Sequence, residues 1–120
     1  MNIVLSIKPE YVSEILAGRK RFEFRKCIFR RPVAKVYIYA SAPISRIVGE
    51  FQPCGILQDT PEAIWDQTKY FAGINKDRYD RYFAGRATAY AIEISNLEIY
   101  NSPQEIPFQA PQSFRYIETI

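Results

Sequence analysis

Gly18-Arg19-Lys20-Arg21-Phe22-Glu23-Phe24-Arg25-Lys26 joins a helix-stopping glycine directly to a short, heavily charged strand. Alternation through Arg21-Phe22-Glu23-Phe24-Arg25 puts both phenylalanines on one face and three charges on the other. Such a strand anchors itself in a core on one side and presents a fixed array of charge on the other. Working outward, Ile3 to Ile7 reads as a short apolar first strand. Pro9 can open a helix at its first turn, and Tyr11, Val12, Ile15 and Leu16 share one side over residues 9–17. Lys8 is a poor N-cap, whereas Gly18 supplies the C-terminal stop because it adopts a left-handed backbone cheaply.

Downstream of the charged strand (20–26), residues 34–40, AKVYIYA, form another strand with Val36 and Ile38 on one face and Tyr37 and Tyr39 on the other. Ser41-Ala42-Pro43 breaks it. Further strand is expected over 46–51 and 54–57, with Gly49, Pro53 and Gly55 marking bends or bulges. A helical interval follows, capped by Asp59 or Thr60, with Ile64, Trp65 and Phe71 as its apolar contacts. Asn75 can cap a second short helix, NKDRYDRYF, ended by Gly85. Its Asp77, Arg78, Asp80 and Arg81 read as a wet, ion-paired surface, and Tyr79, Tyr82 and Phe83 as its buried side. Residues 87–94 form the clearest late strand, with small Ala87, Ala89 and Ala91 on the face that lets it pass close beneath a helix; Leu97 and Ile99 extend the sheet after a bend. Pro103, Pro107 and Pro111 divide the tail into loops before a final strand, Ser113-Phe114-Arg115-Tyr116-Ile117. The expected class is α+β: one domain over 1–120, a strongly bent mixed sheet or small barrel with an early helix and a short central helical insertion.

Charge is unevenly placed. Residues 19–31 hold seven of the sixteen Lys and Arg (Arg19, Lys20, Arg21, Arg25, Lys26, Arg30 and Arg31), opposed only by Glu23. Residues 1–40 carry nine basic and three acidic side chains, and residues 41–120 seven basic and ten acidic, so a net +3 divides into +6 and −3. A concentrated positive region attracts phosphates and nucleic-acid backbones; the plainer alternative is a solvated edge that protects a strand from mispairing. Histidine is absent, which removes Ser-His-Asp and Cys-His chemistry and imidazole acid–base catalysis. Cys27 and Cys54 read as ordinary thiols. No run approaches the roughly 20 apolar residues of a membrane span. The opening MNIVLSIKPEY carries charge too early for an export signal, so the cytoplasm is the expected compartment.

ILAGRKRFEFRK, preceded by VLSIKPEYV and followed by KVYIYASAP, resembles the ASCH domain of the PUA-like superfamily; AIEISN and PQSFRYI fit its small bacterial or phage versions. The specific part is Gly18, Lys20, Glu23 and Arg25 in the order helix-Gly-x-Lys-x-x-Glu-x-Arg-strand. The resemblance implies a PUA-like β-barrel with a cleft beside the helix-to-strand junction and a role in binding RNA or another nucleic acid. Some relatives are amidohydrolases that deacetylate acetylated cytidine, on a pattern resembling Gly-x-Lys-x-x-Thr with a distant glutamate. Lys20 matches that lysine, but Glu23 stands where the threonine would be, and the hydroxyl participant is missing.

The leading expectation is therefore RNA binding through Lys20 and Arg25, with Glu23 orienting one of them or accepting from a base amine. Arg19, Arg21 and Lys26, with Arg30 and Arg31, would form a secondary electrostatic surface. Tyr39, with Tyr37, either stacks a base or covers a helix inside the barrel. Ser113 is a polar candidate and Arg115 a charged one if the tail closes over the cleft, while Phe114 and Tyr116 lock the tail. A second class is a small hydrolase, an amidohydrolase or ribonuclease, in which Lys20 activates water or a hydroxyl and Glu23 moves a proton; so many neighbouring cations would lower the lysine pKa, against Glu23. A metal nuclease wants several converging carboxylates and the strand offers one, so neither metal nor cofactor is expected. The third class is a protein-interaction or regulatory module whose basic edge meets an acidic partner.

Overall fold

A computed structural model describes residues 1–119. It contains β1 (Asn2–Ile7), α1 (Pro9–Leu16), β2 (Phe22–Arg25), β3 (Lys35–Ala40), β4 (Arg46–Asp59), α2 (Pro61–Thr68), a 3-10 turn (Lys69–Phe71), α3 (Lys76–Tyr82), β5 (Ala89–Gln104) and β6 (Phe114–Ile117). The strands form one sheet in the order β2-β5-β4-β3-β1-β6. Only β1 and β3 run parallel; the remaining pairs are antiparallel. The expected α+β class with a strongly bent mixed sheet holds, as a curled half-barrel.

The curl comes from two long strands rather than four short ones. β4 continues through Pro53, and its pairing with β5 shifts register between Ile47 and Gly49, Glu50 and Gln52, and Pro53 and Ile56. Each shift adds twist and bend, and a proline is tolerated at such an irregularity. At Gly49 an added Cβ would stand 2.6 Å from the Glu98 carbonyl oxygen, so the close approach of β4 to β5 requires glycine there. β5 bends at Asn96, which has φ +51°. It then runs past Pro103, where a break was expected. β2 pairs only with residues 90–93, so the far end of β5 has a free side where a missing N–H costs no ladder bond.

Three apolar clusters fix the layers. Ile3, Leu5, Val36 and Ile38 pack against Val12 and Ile15 of α1. Phe24, Ala89 and Ala91 pack against Ile64, Tyr79 and Phe83 of the helical insertion, so the small strand face does lie under helices. Val4, Tyr37, Tyr39 and Ile47 form the third cluster, covered by Ile106, Phe108 and Ala110 of the tail. The tyrosine face of β3 therefore meets the tail and not a helix, and β3 is buried on both sides. Thr60 and Asn75 serve as the helix caps, accepting from the Ala63 and Arg78 amides at 3.2 and 2.9 Å. Phe71, expected to supply a core contact, is instead 42% exposed. Among the described residues no helix is long and apolar enough to cross a membrane.

Candidate functional site

The helix-to-strand junction is built by Gly18. Its φ of +81° reverses the chain, and the amides of Arg19 and Lys20 both bond the Glu14 carbonyl at 3.1 Å. The Arg21 amide then bonds the Phe71 carbonyl at 2.9 Å, tying the strand entry to the 3-10 turn. Lys20 consequently points inward, although it precedes the strand. Gly73 abuts its stem: φ is +64° there, and a Cβ would collide with the Lys20 Cβ and Cγ.

Lys20 and Glu23 are buried, with 3% and 6% exposure, in a chain whose other buried polar side chain among the described residues is Thr68. The Lys20 ammonium donates to the Ala72 carbonyl at 2.8 Å, stands 4.5 Å from the Phe24 ring centroid and 5.6 Å from that of Tyr11, and lies 3.9 Å from Glu23 Oε1. Glu23 Oε2 accepts from Arg25 Nε and Nη2 at 3.0 and 2.7 Å. Arg25 Nη2 also donates to the Ser6 carbonyl at 2.8 Å, linking β2 to the end of β1. Burial lowers the Lys20 pKa from 10.5 to about 8, opposed by Glu23 and assisted by Arg25. Desolvation, not the crowd of cations expected from the sequence, is the main cause.

These three side chains face a cavity of about 940 Å³. Its walls come from four places: the β1–α1 junction (Ser6, Lys8, Tyr11), the β3–β4 turn (Tyr39, Ser41, Ser45), α3 with its approach (Ile74, Arg78, Arg81, Tyr82), and the tail (Ala110, Pro111, Gln112). The tail does reach the cavity: Ser6 Oγ donates to the Pro111 carbonyl at 2.6 Å, and Ser113 Oγ accepts from Arg25 Nη1 at 3.4 Å. Lys20, Glu23, Arg25, Tyr39 and Ser113 are thus brought together.

The others are not. Arg19 pairs with Glu14 on the surface at 2.7 Å, Arg21 stacks on Phe71 at 4.2 Å, and Arg115 lies 4.0 Å over the Phe108 ring. Lys26 is exposed but lies 4.6 Å over Tyr82, itself a cavity residue. Arg30 and Arg31 are exposed, their amides donating to the Tyr116 hydroxyl, which with Phe114 locks the tail as expected.

Sequence reasoning missed Tyr11, Arg78, Arg81 and Tyr82. The signal was present in α3, where 78, 81 and 82 stand at i, i+3 and i+4 on one helical face. Only part of the wet-surface reading holds: Lys76 pairs with Asp80 at 2.7 Å and Arg78 with Glu10 of α1 at 2.8 Å. Arg81 bonds no carboxylate among the described residues. Its Nε donates weakly to the Asp77 carbonyl at 3.4 Å. Among the described residues no three of Cys, Asp and Glu converge to hold a metal.

The cavity gathers five cations (Lys8, Lys20, Arg25, Arg78 and Arg81), one carboxylate and three tyrosines (Tyr11, Tyr39 and Tyr82). Chemically, it can hold an anionic, ring-bearing ligand and offers one amine that is partly neutral near pH 8.

Known proteins share this arrangement of elements. The family model of the ASCH domain matches residues 5–98. A protein of Zymomonas mobilis named "ASCH domain-containing ribonuclease" is 29% identical over 122 residues, covering 95% of this chain and 82% of that one. The crystal structure of ASCH from Zymomonas mobilis superposes with a TM-score of 0.89 at 25% identity, covering 98% of this chain and 87% of that one. A point variant of the same protein gives the same TM-score and identity over 98% and 90% of the two chains. With the family model spanning most of the sequence and the curled sheet matched almost end to end, this chain belongs to the ASCH domain family and has its PUA-like fold.

Proposed function

We propose that the chain is a cytoplasmic RNA-binding domain that takes one nucleotide unit of an RNA into the cavity at the α1–β2 junction. The observation that carries this is the makeup of the walls: five cations against the single carboxylate Glu23, interleaved with Tyr11, Tyr39 and Tyr82. Cations answer a phosphate, tyrosine rings offer faces to a base, and Arg25 of β2 and Arg81 of α3 both line the cavity. Lys20 and Glu23 form the floor. The ASCH family membership supports the same reading.

A second reading, RNA hydrolysis, is favoured by one specific observation, the amine pKa of about 8 at Lys20. A neutral Lys20 can take the proton from a ribose 2′-hydroxyl as that oxygen attacks the neighbouring phosphorus. The P–O5′ bond breaks, leaving a 2′,3′-cyclic phosphate and a 5′-hydroxyl whose oxygen takes its proton from water. Arg25 and Arg81 would then stabilise the charge gathering on the phosphoryl oxygens. The Zymomonas mobilis relative bears the name of a ribonuclease. Amide hydrolysis with a hydroxyl at position 23 has no such support, because that position is a glutamate and Arg25 engages it.

The test follows bound fraction and intact substrate on short single-stranded RNA, duplex RNA and single-stranded DNA at controlled salt, with wild type and Lys20→Met. Saturable RNA binding reduced at least tenfold by the variant, with no product, is the expected result. Shorter RNA that disappears with Lys20→Met, at a rate rising through about pH 8, would move the assignment to the ribonuclease. Neither binding nor product on any substrate would overturn both.

A further inference from the structure

A second hollow, of about 530 Å³, lies on the other side of the Ala72–Ile74 segment and is lined by Glu14, Gly18, Arg19, Tyr70, Phe71 and Ile74. Ile74 lines the main cavity as well, so one residue borders both hollows. The same short segment serves both: Ala72 holds the Lys20 ammonium through its carbonyl, while Tyr70 and Phe71 turn outward.

Two aromatic side chains left in water beside a charged cavity call for an explanation. Tyr70 is 86% exposed and Phe71 42% exposed, the first being the most exposed of the large hydrophobic residues described. Neither belongs to an apolar cluster. Cations attend both rings: the Arg21 guanidinium lies 4.2 Å from the Phe71 centroid and the Lys69 ammonium 5.8 Å from that of Tyr70. Arg19 is held by Glu14, which leaves Arg21 and Lys69 as the cations here with no carboxylate partner among the described residues. Exposed rings flanked by unpaired cations are what a flexible single strand of nucleic acid requires, since bases stack on any π-face and phosphates need neutralising.

We infer that Tyr70 and Phe71 form a stacking platform for the RNA nucleotide next to the one in the cavity, with Arg21 and Lys69 on its phosphates. This rests on the RNA-binding reading above and extends it: the partner is single-stranded, because the platform accepts an unpaired base, and it is longer than one nucleotide. Tyr70 is 86% exposed and belongs to none of the three apolar clusters, so it can be changed without disturbing the floor of the cavity.

Fluorescence anisotropy with a fluorescein-labelled, 2′-fluoro-substituted RNA of eight nucleotides tests the inference, with a free mononucleotide as competitor. Tyr70→Ala is expected to weaken the octamer by about 5- to 150-fold, the range of one lost base stack. The mononucleotide affinity should stay within about twofold, and Tyr70→Phe should bind the octamer like wild type. Arg21→Gln with Lys69→Gln should lower the slope of log affinity against log salt by about 1.4, at about 0.7 for each single-strand phosphate contact. Octamer binding that Lys20→Met abolishes but Tyr70→Ala leaves intact would overturn the platform and spare the cavity. Equal losses for octamer and mononucleotide in Tyr70→Ala would also overturn it, because the effect would then pass through the cavity. A dimer seen by light scattering that Tyr70→Ala dissolves, with octamer affinity unchanged, would make the patch a self-association face. No saturable octamer binding by wild type would overturn platform and RNA reading together.

Discussion

Two sets of charges separated by a few residues of one short segment obey different physics. Lys20, Glu23 and Arg25 sit in an inward cluster, their side chains 3%, 8% and 14% exposed, each pinned by partners of fixed geometry. Arg19, Arg21, Lys26, Arg30 and Arg31 are exposed; Arg19 leans on a carboxylate, and Arg21, Lys26 and Arg31 on aromatic rings at the surface. In the first set a charge is expensive to remove singly, and an amine titrates far from its ordinary value. In the second a charge adds a salt-sensitive contribution to binding and little to folding. The basic character visible in the sequence therefore contains a rigid inward floor and a replaceable coat.

The sharpest way to break that distinction is Glu23→Gln. It keeps the shape and removes the one negative charge between buried Lys20 and part-buried Arg25, an uncompensated situation that costs about 3–5 kcal/mol. Urea denaturation should register this loss, while Arg30→Gln, an exposed neutralisation, should change stability by less than about 0.5 kcal/mol. A Glu23→Gln protein as stable as wild type would place all seven cations in the replaceable coat.

The next effect in size is carried by pH. The folded pKa of Lys20 is about 8, below the ordinary 10.5. Between those values the unfolded chain holds a proton that the folded chain lacks, so this residue's contribution to stability rises with pH across the window, and is constant below it. The full rise amounts to about 3 kcal/mol. Stability measured for wild type and Lys20→Met from pH 7 to 10.5 should show a difference that moves in favour of wild type above pH 8. Groups common to both proteins cancel. A difference that stays flat would mean that Lys20 titrates as a surface lysine and is not desolvated.

How much of this was legible follows from where the physics is local. Gly18, Pro9 and the alternation through Phe22 and Phe24 are decided by neighbours in sequence, and the helix, its stop and the strand's two faces stand as read. Residues 46–57 were read as two strands because Pro53 and Gly55 look like breaks. A bulged partner on β5 absorbs both, and nothing local announces that partner. The cavity floor was legible because Lys20, Glu23 and Arg25 lie within six residues of one another. Its roof was not: Tyr11, Arg78, Arg81 and Tyr82 reach the site only through the packing of α1 on the β1–β3 core and of α3 around the Phe24–Tyr79–Phe83 cluster. Tyr70 and Phe71 were hidden for the opposite reason. Aromatic residues in a helical interval look like core, and their exposure is a tertiary fact.

The smallest effect concerns Arg115, and it separates the two ways in which the tail can take part in the site. Alternation along β6 places Phe114 and Tyr116 toward the α1-side cluster, so Arg115, opposite Val4, is sent to the face where Phe108 lies. Its guanidinium stacks 4.0 Å from the Phe108 centroid, helping to hold the tail over the tyrosine face of β3. The cavity receives from the tail only Ala110 to Gln112 and the Ser113 hydroxyl. Arg115→Ala should therefore leave RNA affinity within about twofold and cost about 0.5–1 kcal/mol of stability, the worth of one exposed cation–π contact. Ser113→Ala, by contrast, removes a weak contact to Arg25 and should act on affinity rather than on folding. If Arg115→Ala weakens RNA more than Ser113→Ala does, then the side chains of β6 belong to the floor, and the boundary between floor and coat must be drawn along the tail instead of along β2.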